Sequence, residues 1–316
     1  MSGATIAVER VRAERWRIAG RRVRTFAGRY VRRSDGVVGL VILIVFGVLA
    51  AFPELFVGKL ETAVTATGAR LGPPSAAHIF GTDELGRDML NLTVHGARIS
   101  MAIGLMATMI TIVVGAVVGI FAGFVGGVVD TVLMRISDFF LVLPTIVLAI
   151  ILAPVVLDVV GADAELFGIR ATLIVIVVVI GLTSWATTAR IIRSQVLSVK
   201  ERMFVDRARV IGAGSGHIMR RHILPNVINL IVAQSVLPFA TAVVTETTLA
   251  FIGLGDPFAP SWGEILNAAQ SSGAPGLGAW WYIAPPATCV VLVVLAFTLV
   301  GNALDDILNP KSAIRR

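Results

Sequence analysis

Residues 171–189 read ATLIVIVVVIGLTSWATTA and carry no charged side chain, and the segment that follows them is strongly basic. A transmembrane helix needs about 20 mostly apolar residues, so this stretch predicts a membrane span. The whole chain shares the bias, with 56% hydrophobic and 15% charged residues among 316 and a mean hydropathy of +0.86. Soluble proteins carry about 25% charged residues. The composition therefore predicts a multi-pass membrane protein.

Uncharged runs elsewhere in the chain predict six transmembrane helices in total and an all-α fold. The fifth run contains Glu246, and the sixth opens on Trp280, Trp281 and Tyr282, which are typical of a membrane–water interface. The predicted spans are 36–53, 99–129, 139–157, 171–189, 226–254 and 280–304.

The basic residues are concentrated in segments that six spans would place on one side of the membrane. Residues 1–36 hold ten arginines against three acidic residues, and residues 190–221 hold eight basic against two acidic residues. The segments 54–88, 158–170 and 255–279 are richer in acidic than in basic residues. The positive-inside rule therefore predicts that both termini and the second basic segment are cytoplasmic. A basic arm can bind nucleic acid, but arginines directly before a span favour anionic lipid, so no nucleic acid partner is expected.

Motifs for catalysis are missing from the sequence. No G-x-x-x-x-G-K-[ST] phosphate loop occurs, and GAGSG at 212–216 lacks the strand and helix context of a dinucleotide-binding turn. The four histidines show no metal-ligand spacing, and Cys289 has no second cysteine to pair with. We expect no catalytic residue, metal site or cofactor in this chain; an intramembrane enzyme is not excluded but has no support.

Small residues in the second run predict close helix packing. Glycines recur there largely at four-residue spacing, which lets two helices approach closely in lipid. Prolines within or near the spans, Pro144 among them, fit either irregular helices around a polar path or ordinary kinks in a packed bundle. The glycines are Gly104, Gly115, Gly119, Gly123 and Gly127.

Three ionisable residues inside the predicted spans are candidates for function. Arg135 and Asp138 are three residues apart and share a helix face, so they can pair with each other or with a neighbouring helix. We favour a structural pair over a substrate contact. Glu246 is a lone acid in the fifth span, a costly position that indicates a substrate pathway, a partner or a place near the interface.

The basic segment between the fourth and fifth spans has a pattern of its own. Residues 203–211 allow a helix with Asp206 near its start, where a negative charge suits the helix dipole. Gly212, Gly214 and Gly216 then break it, and a second helical piece at 217–224 leads to Pro225. This arrangement predicts either a plug for a partner protein or a solvated basic connector.

The spacing within this segment resembles the EAA loop of permease subunits in ATP-binding-cassette importers. That loop reads Glu-Ala-Ala, three residues, Gly, and later Ile-x-Leu-Pro. Here Asp206 stands for Glu, Arg207 for the first Ala and His222 for the expected Ile. Three further stretches, 80–104, 119–150 and 245–266, are similar to dipeptide and oligopeptide permeases of the DppC/OppC type. Together the likeness covers about residues 80–310.

The resemblance implies a type I importer permease in the bacterial inner membrane, with peptide as substrate. Its partners would be a homologous permease chain, two ATPase subunits that hold ATP and Mg, and an external solute-binding protein. The coupling loop would receive force from the ATPases. The residues that the resemblance places in this loop are Asp206, Arg207, Ala208, Gly212, Ala213, Gly214, Leu224 and Pro225.

The expected organisation has four parts. They are a basic N-terminal segment (1–35), a first span (36–57), an external loop with an amphipathic segment (58–98), and a core permease region (99–310) that contains the coupling loop at 190–225. A nickel or other small-solute importer is an alternative, since such permeases share these motifs. A self-contained secondary transporter, with Glu246 carrying a proton, is the alternative from another class.

Overall fold

Long apolar runs form helices here because backbone N–H and C=O groups inside lipid must bond within their own segment. The computed structural model describes residues 28–161, 164–166 and 169–308; most of the predicted basic arm lies outside them. In chain order the α-helices are α1 (Ser34–Ala51), α2 (Pro53–Val57), α3 (Met89–Val125), α4 (Gly127–Val142), α5 (Thr145–Val160), α6 (Ala171–Lys200), α7 (Met203–Val210), α8 (Ser215–Ile218), α9 (Leu224–Ala233), α10 (Val236–Leu249), α11 (Trp262–Ser271) and α12 (Ala284–Leu308).

Shorter elements complete the described chain. A small antiparallel hairpin pairs β1 (Glu165–Leu166) with β2 (Ile169–Arg170) directly before α6. Two π-helical turns, Met219–Ile223 and Ala250–Leu254, join or extend α-helices, and Trp280–Tyr282 forms a 3-10 turn before α12. The fold is therefore helical, as predicted, apart from a hairpin of four residues.

Among the described residues, five helical segments are long and apolar enough to cross a membrane. A sixth crossing is possible if the bent pair α4 and α5 counts as one span. The prediction of a polytopic helical membrane protein is confirmed. The five segments are Ser34–Ala51, Met89–Val125, Ala171–Lys200, Val236–Leu254 and Trp280–Ile307.

The predicted third span, at 139–157, is interrupted in the structure. The chain bends by 94° between α4 and α5, with the break at Leu143 and Pro144. Proline lacks an N–H group and pushes the residue before it out of the helical region. Leu143 accordingly has an extended backbone, with φ −84° and ψ 130°.

The predicted fifth span, 226–254, is likewise interrupted. α9 ends at Ala233 and α10 begins at Val236, so only the second part reaches the length of a crossing. The second span, by contrast, starts ten residues before its predicted position. Asp88 caps α3 there, because its carboxylate accepts hydrogen bonds from the backbone N–H groups of Leu90 and Asn91.

α3 and α6 run parallel and are the most closely packed pair of long helices in the bundle. A Cβ atom added at Gly119 would lie 2.5 Å from the carbonyl oxygen of Ala189, and one at Gly115 would lie 2.7 Å from Cβ of Thr188. Gly123 meets the same helix further along. The predicted close approach of the two helices is therefore confirmed, because no substituent larger than hydrogen fits at these glycines. Gly104 packs against Val243 of α10 instead, and Gly127 begins α4 with φ +57°, so both lie outside this stack.

Residues 58–88 fold into a cap segment against the beginnings of α3 and α12. Asp83 is fully buried and accepts hydrogen bonds from the backbone N–H groups of Leu85 and Arg87 and from the Arg87 guanidinium. Tyr282 donates its hydroxyl to Glu84. We refer to this end of the bundle as the cap end.

Candidate functional site

The linking loop, residues 201–225, joins α6 to α9 and is packed against the bundle along one face. Val205 and Ala208, one helical turn apart on α7, are almost fully buried, as are Ile218 and Ile223. They contact a cluster formed by the ends of α3, α6 and α9. The loop is therefore a structured element with its own share of the apolar core, and not a solvated connector.

The turn after α7 explains the glycine at position 212. Gly212 has a φ of +84°, which lies in a region of backbone conformation that residues with a Cβ atom rarely adopt. Its N–H bonds to the carbonyl of Arg209 at 2.9 Å, and the N–H of Ala213 bonds to the carbonyl of Ala208 at 2.9 Å. This is the Schellman pattern that ends a helix. Helix, break and helix are present as predicted, although Gly216 lies inside α8 and not in the break.

The opposite face of the linking loop presents apolar side chains to the surroundings. Val210 is 87% exposed, Ile211 84% and Met203 73%. Arg207 and Arg209 are exposed beside them, and Asp206 pairs with Arg209 at 3.2 Å. Exposed ion pairs of this kind contribute little to stability. Met203, Val210 and Ile211 thus form an exposed apolar knob with a basic rim. The buried side chains on the other face of the loop attach this knob to the bundle, and we call them its buried base; they are Val205, Ala208, Ile218 and Ile223.

The other loop residues chosen from the sequence fall on both sides of this knob. Ala208 belongs to the buried base, and Ala213 is partly buried against the same cluster. Gly214 is exposed and starts α8 with an ordinary negative φ. Leu224 and Pro225 begin α9, directly after the π-helical turn Met219–Ile223.

Arg135 and Asp138 do not form the pair with each other that their spacing allows. Asp138 instead accepts a hydrogen bond at 2.5 Å from Arg190 of α6, the neighbouring-helix alternative. Arg135 is exposed, and it makes no hydrogen bond to any residue that the structure describes. Helical spacing alone could not separate these outcomes, because the choice depends on which helix lies alongside α4.

A stronger ion pair lies nearby and was not singled out from the sequence. Arg193 of α6 binds Asp130 of α4 through two hydrogen bonds, at 2.5 and 2.6 Å. Lys200 donates to the carbonyl oxygen of Phe124 at 2.6 Å, and thereby caps the end of α3. The sequence signal for these contacts is that an acidic residue directly follows the second predicted span and basic residues directly follow the fourth.

Glu246 lies in the packed interior of the cap end and is 1% exposed. Its carboxylate accepts a hydrogen bond from the hydroxyl of Thr247 at 3.4 Å and lies beside the hydroxyls of Ser100 and Ser261. Ser100 in turn accepts from the backbone N–H of Trp262, at 3.1 Å. The acid therefore connects α3, α10 and the start of α11, which is the geometry of a structural brace.

The cap end also holds an ion pair beside a cavity of about 450 Å³. Arg170 contacts Asp256 at 3.5 Å, and its guanidinium lies 4.3 Å from the centre of the Phe258 ring. Apolar residues of α3 and α6 form the remaining wall. No group of three or more His, Cys, Asp or Glu side chains in the described part of the chain could hold a metal ion.

Several apolar crossings joined by a packed basic loop define a multi-pass helical membrane protein. Residues 115–314 match the family of binding-protein-dependent transport system inner membrane components, and the chain belongs to that family. It is accordingly a membrane component of a transport system and not itself an enzyme.

Two relatives are similar over most of the chain. The dipeptide transport system permease protein DppC of Bacillus subtilis (strain 168) is 36% identical over 277 residues, which cover 86% of this chain and 81% of that protein. The oligopeptide transport system permease protein OppC of the same organism is 34% identical over 286 residues, covering 90% and 88%. The resemblance inferred from the sequence motifs is confirmed by these matches.

Proposed function

We propose that this chain is the transmembrane permease subunit of an ATP-driven importer that takes up dipeptides or oligopeptides. The names of the relatives support the substrate class. The single observation that carries the mechanism is the linking loop, with its buried base and its exposed knob at Met203, Val210 and Ile211. An external solute-binding protein delivers the peptide, and the importer moves it across the bacterial inner membrane.

The proposal includes an orientation of six spans with both termini in the cytoplasm. Its support is the positive-inside rule, since the linking loop and the segment before α1 are the basic parts of the chain. The bent pair α4 and α5 serves as the third crossing. The linking loop then faces the cytoplasm, and the cap end faces the solute-binding protein.

The partners follow from the same proposal. A homologous second permease completes the path, and two ATP-binding subunits below the membrane hold ATP and Mg. Each permease offers its loop to one ATPase, whose apolar socket covers the knob. Because Val205, Ala208, Ile218 and Ile223 fix the loop to the bundle, a displacement of the knob moves α3, α6 and α9 with it. Such a device works when ATP biases a bundle with two arrangements.

The direct test is purification of the tagged chain from its native membrane followed by mass spectrometry of what accompanies it. We expect a second permease and two ATPase chains in stoichiometric amounts. The purified complex in vesicles, supplied with the binding protein, is expected to take up a short peptide only when ATP is present. A chain that purifies alone and transports peptide without ATP would refute the proposal.

Glu246 separates this proposal from a proton-coupled transporter. As a brace, the acid can be replaced by glutamine, which has the same shape and retains one acceptor oxygen. Glu246→Gln is therefore expected to keep at least half of the uptake. Glu246→Leu leaves the hydroxyls of Ser100 and Ser261 without this acceptor, at about 1–3 kcal/mol for each unsatisfied group.

Thermal unfolding of the purified variants in detergent and uptake in vesicles measure the two effects. We expect Glu246→Leu to unfold several degrees below Glu246→Gln. Complete loss of uptake in a stably folded Glu246→Gln variant would indicate instead that the acid carries a proton.

Gly212 provides a second test, with its control two residues away. An alanine at either Gly212 or Gly214 would meet no atom of the described residues within 4 Å, so sterics are matched. Only Gly212 has a positive φ, where a Cβ costs about 1 kcal/mol. We expect Gly212→Ala to lower peptide uptake per ATP hydrolysed by several fold and Gly214→Ala to leave it unchanged. Gly212→Asp should have the larger effect. Equal behaviour of both alanine variants would count against a role for the turn.

A further inference from the structure

The last three turns of α6 carry three basic residues, two of which bind α4 and one of which binds the end of α3. Arg193 holds Asp130 of α4 through two parallel hydrogen bonds, at 2.5 and 2.6 Å. Arg190 holds Asp138, two turns further along α4, at 2.5 Å. Lys200 binds the end of α3. Bidentate pairs between Arg and a carboxylate fix relative orientation as well as distance.

Few side chains of α4 are buried against the rest of the bundle. Of its sixteen residues, all of which the structure describes, only Ser137 is buried. The hydroxyl of Ser137 lies 3.4 Å from the carbonyl oxygen of Ala186, a weak bond near the distance limit. α3 and α6, in contrast, interlock through three glycines. The directional contact between α4 and α6 therefore consists of the two ion pairs and an edge-on contact between the rings of Phe140 and Trp185, whose centroids are 5.5 Å apart.

Both ends of α4 are joints in the chain. Gly126 and Gly127, with φ +74° and +57°, separate it from α3, and a Cβ at Gly127 would meet no described atom within 4 Å. Leu143 and Pro144 separate it from α5, where the 94° bend lies. A helix between two such joints can swing as a rigid rod about 24 Å long.

The far end of α5 reaches a cavity at the cap end. Pro154, Leu157 and Asp158 line one side of this space of about 500 Å³, and Gly253 and Pro257 line the other. The cavity and the linking loop lie at opposite ends of α6, which spans 30 residues.

We propose that Arg193 is a positioning residue that links the coupling movement to α4, with Arg190 as a second attachment. The inference rests on the proposed function, because the linking loop must first receive force from an ATPase. When the loop displaces the end of α6, the Arg193–Asp130 pair carries α4 along. The bend at Leu143 and Pro144 then converts this movement into opening or closing of the cavity beside α5.

The test uses the importer assembled with its ATPases and binding protein in vesicles. Asp130→Asn and Arg193→Gln are each expected to lower peptide uptake about tenfold, the effect of losing one partner of a charge-assisted pair, while ATP hydrolysis continues. Arg135→Gln, on the same helix and without a described hydrogen bond, is the matched control and is expected to transport normally. The informative quantity is the number of ATP molecules hydrolysed per peptide taken up.

A covalent replacement of the pair distinguishes a link from a merely stabilising contact. Asp130→Cys and Arg193→Cys are combined in a Cys289→Ser background and joined by a short bifunctional thiol reagent. We expect uptake to be low before cross-linking and to recover at least half of the wild-type rate afterwards.

Three outcomes would overturn the link. They are normal uptake in both neutral variants, a parallel loss of uptake and ATP hydrolysis, and a complete cross-link that restores nothing. Absence of ATP-dependent uptake in the wild-type complex would instead overturn the proposed function, and this inference with it.

Discussion

Aspartate at both Val210 and Ile211 is expected to abolish peptide uptake while leaving the permease folded. The two side chains are 87% and 84% exposed, so the substitutions disturb no packing within the chain. Full burial of one such side chain in a partner contributes about 1.5–3 kcal/mol. Two carboxylates in an apolar socket would remove this favourable burial energy and place an unpaired charge at each position. We therefore expect the ATPase subunits to be lost from the complex.

Co-purification of the ATPase subunits measures this directly, and thermal unfolding checks the fold. Val64→Asp is the matched control, because Val64 is also a highly exposed valine, at 93%, but lies in the cap segment. It should retain the ATPases in full. A Val210→Asp, Ile211→Asp double variant that retains them at the wild-type level would show that the knob is not the docking surface.

Leucine at Gly119 is expected to prevent the bundle from forming. Even the first added carbon would lie 2.5 Å from the backbone oxygen of Ala189 and 3.0 Å from Cβ of Ile192, so α3 and α6 must separate. Overpacking a well-filled core costs about 1–3 kcal/mol, and more where backbone atoms block relaxation. The separation would also disrupt the buried base of the linking loop, which rests on both helices.

Gly47 offers the control for this substitution. It lies in the second half of α1, another apolar helix, and a Cβ there would meet no described atom within 4 Å. Gly47→Leu should accumulate in the membrane and elute as one species in detergent, whereas Gly119→Leu should be degraded or aggregate. If both variants elute and unfold alike, the close approach of α3 and α6 does not limit stability.

The sequence was informative wherever a local rule decides the structure. Hydropathy located the crossings because the bilayer imposes a length, and the glycines of the linking loop located its break because one of them needs a positive φ. The bend at Pro144 was readable in the same way, since proline restricts the residue before it. The predicted span at 139–157 was placed by apolar length, and the bend falls inside it at the residue before Pro144.

Features that depend on how helices lie against one another were not readable. Asp130 and Arg193 are 63 residues apart, and nothing local indicates that α4 lies against the end of α6. The sequence left Glu246 open to a substrate pathway, a partner or a place near the interface, and only its polar neighbours from other elements favour the brace. Asp88 was a missed local signal, because an acid directly before a helical run is a common cap.

The glycine stack has a consequence for the kind of motion open to this subunit. Each glycine accepts a ridge of the other helix, so axial sliding by one residue, about 1.5 Å, would bring backbone into collision at three levels together. A tilt that moves α3 and α6 together as one rigid unit leaves the contacts between them unchanged. We therefore expect a rearrangement of this subunit to move α3 and α6 together as one stiff pair, with the other helices changing position around it.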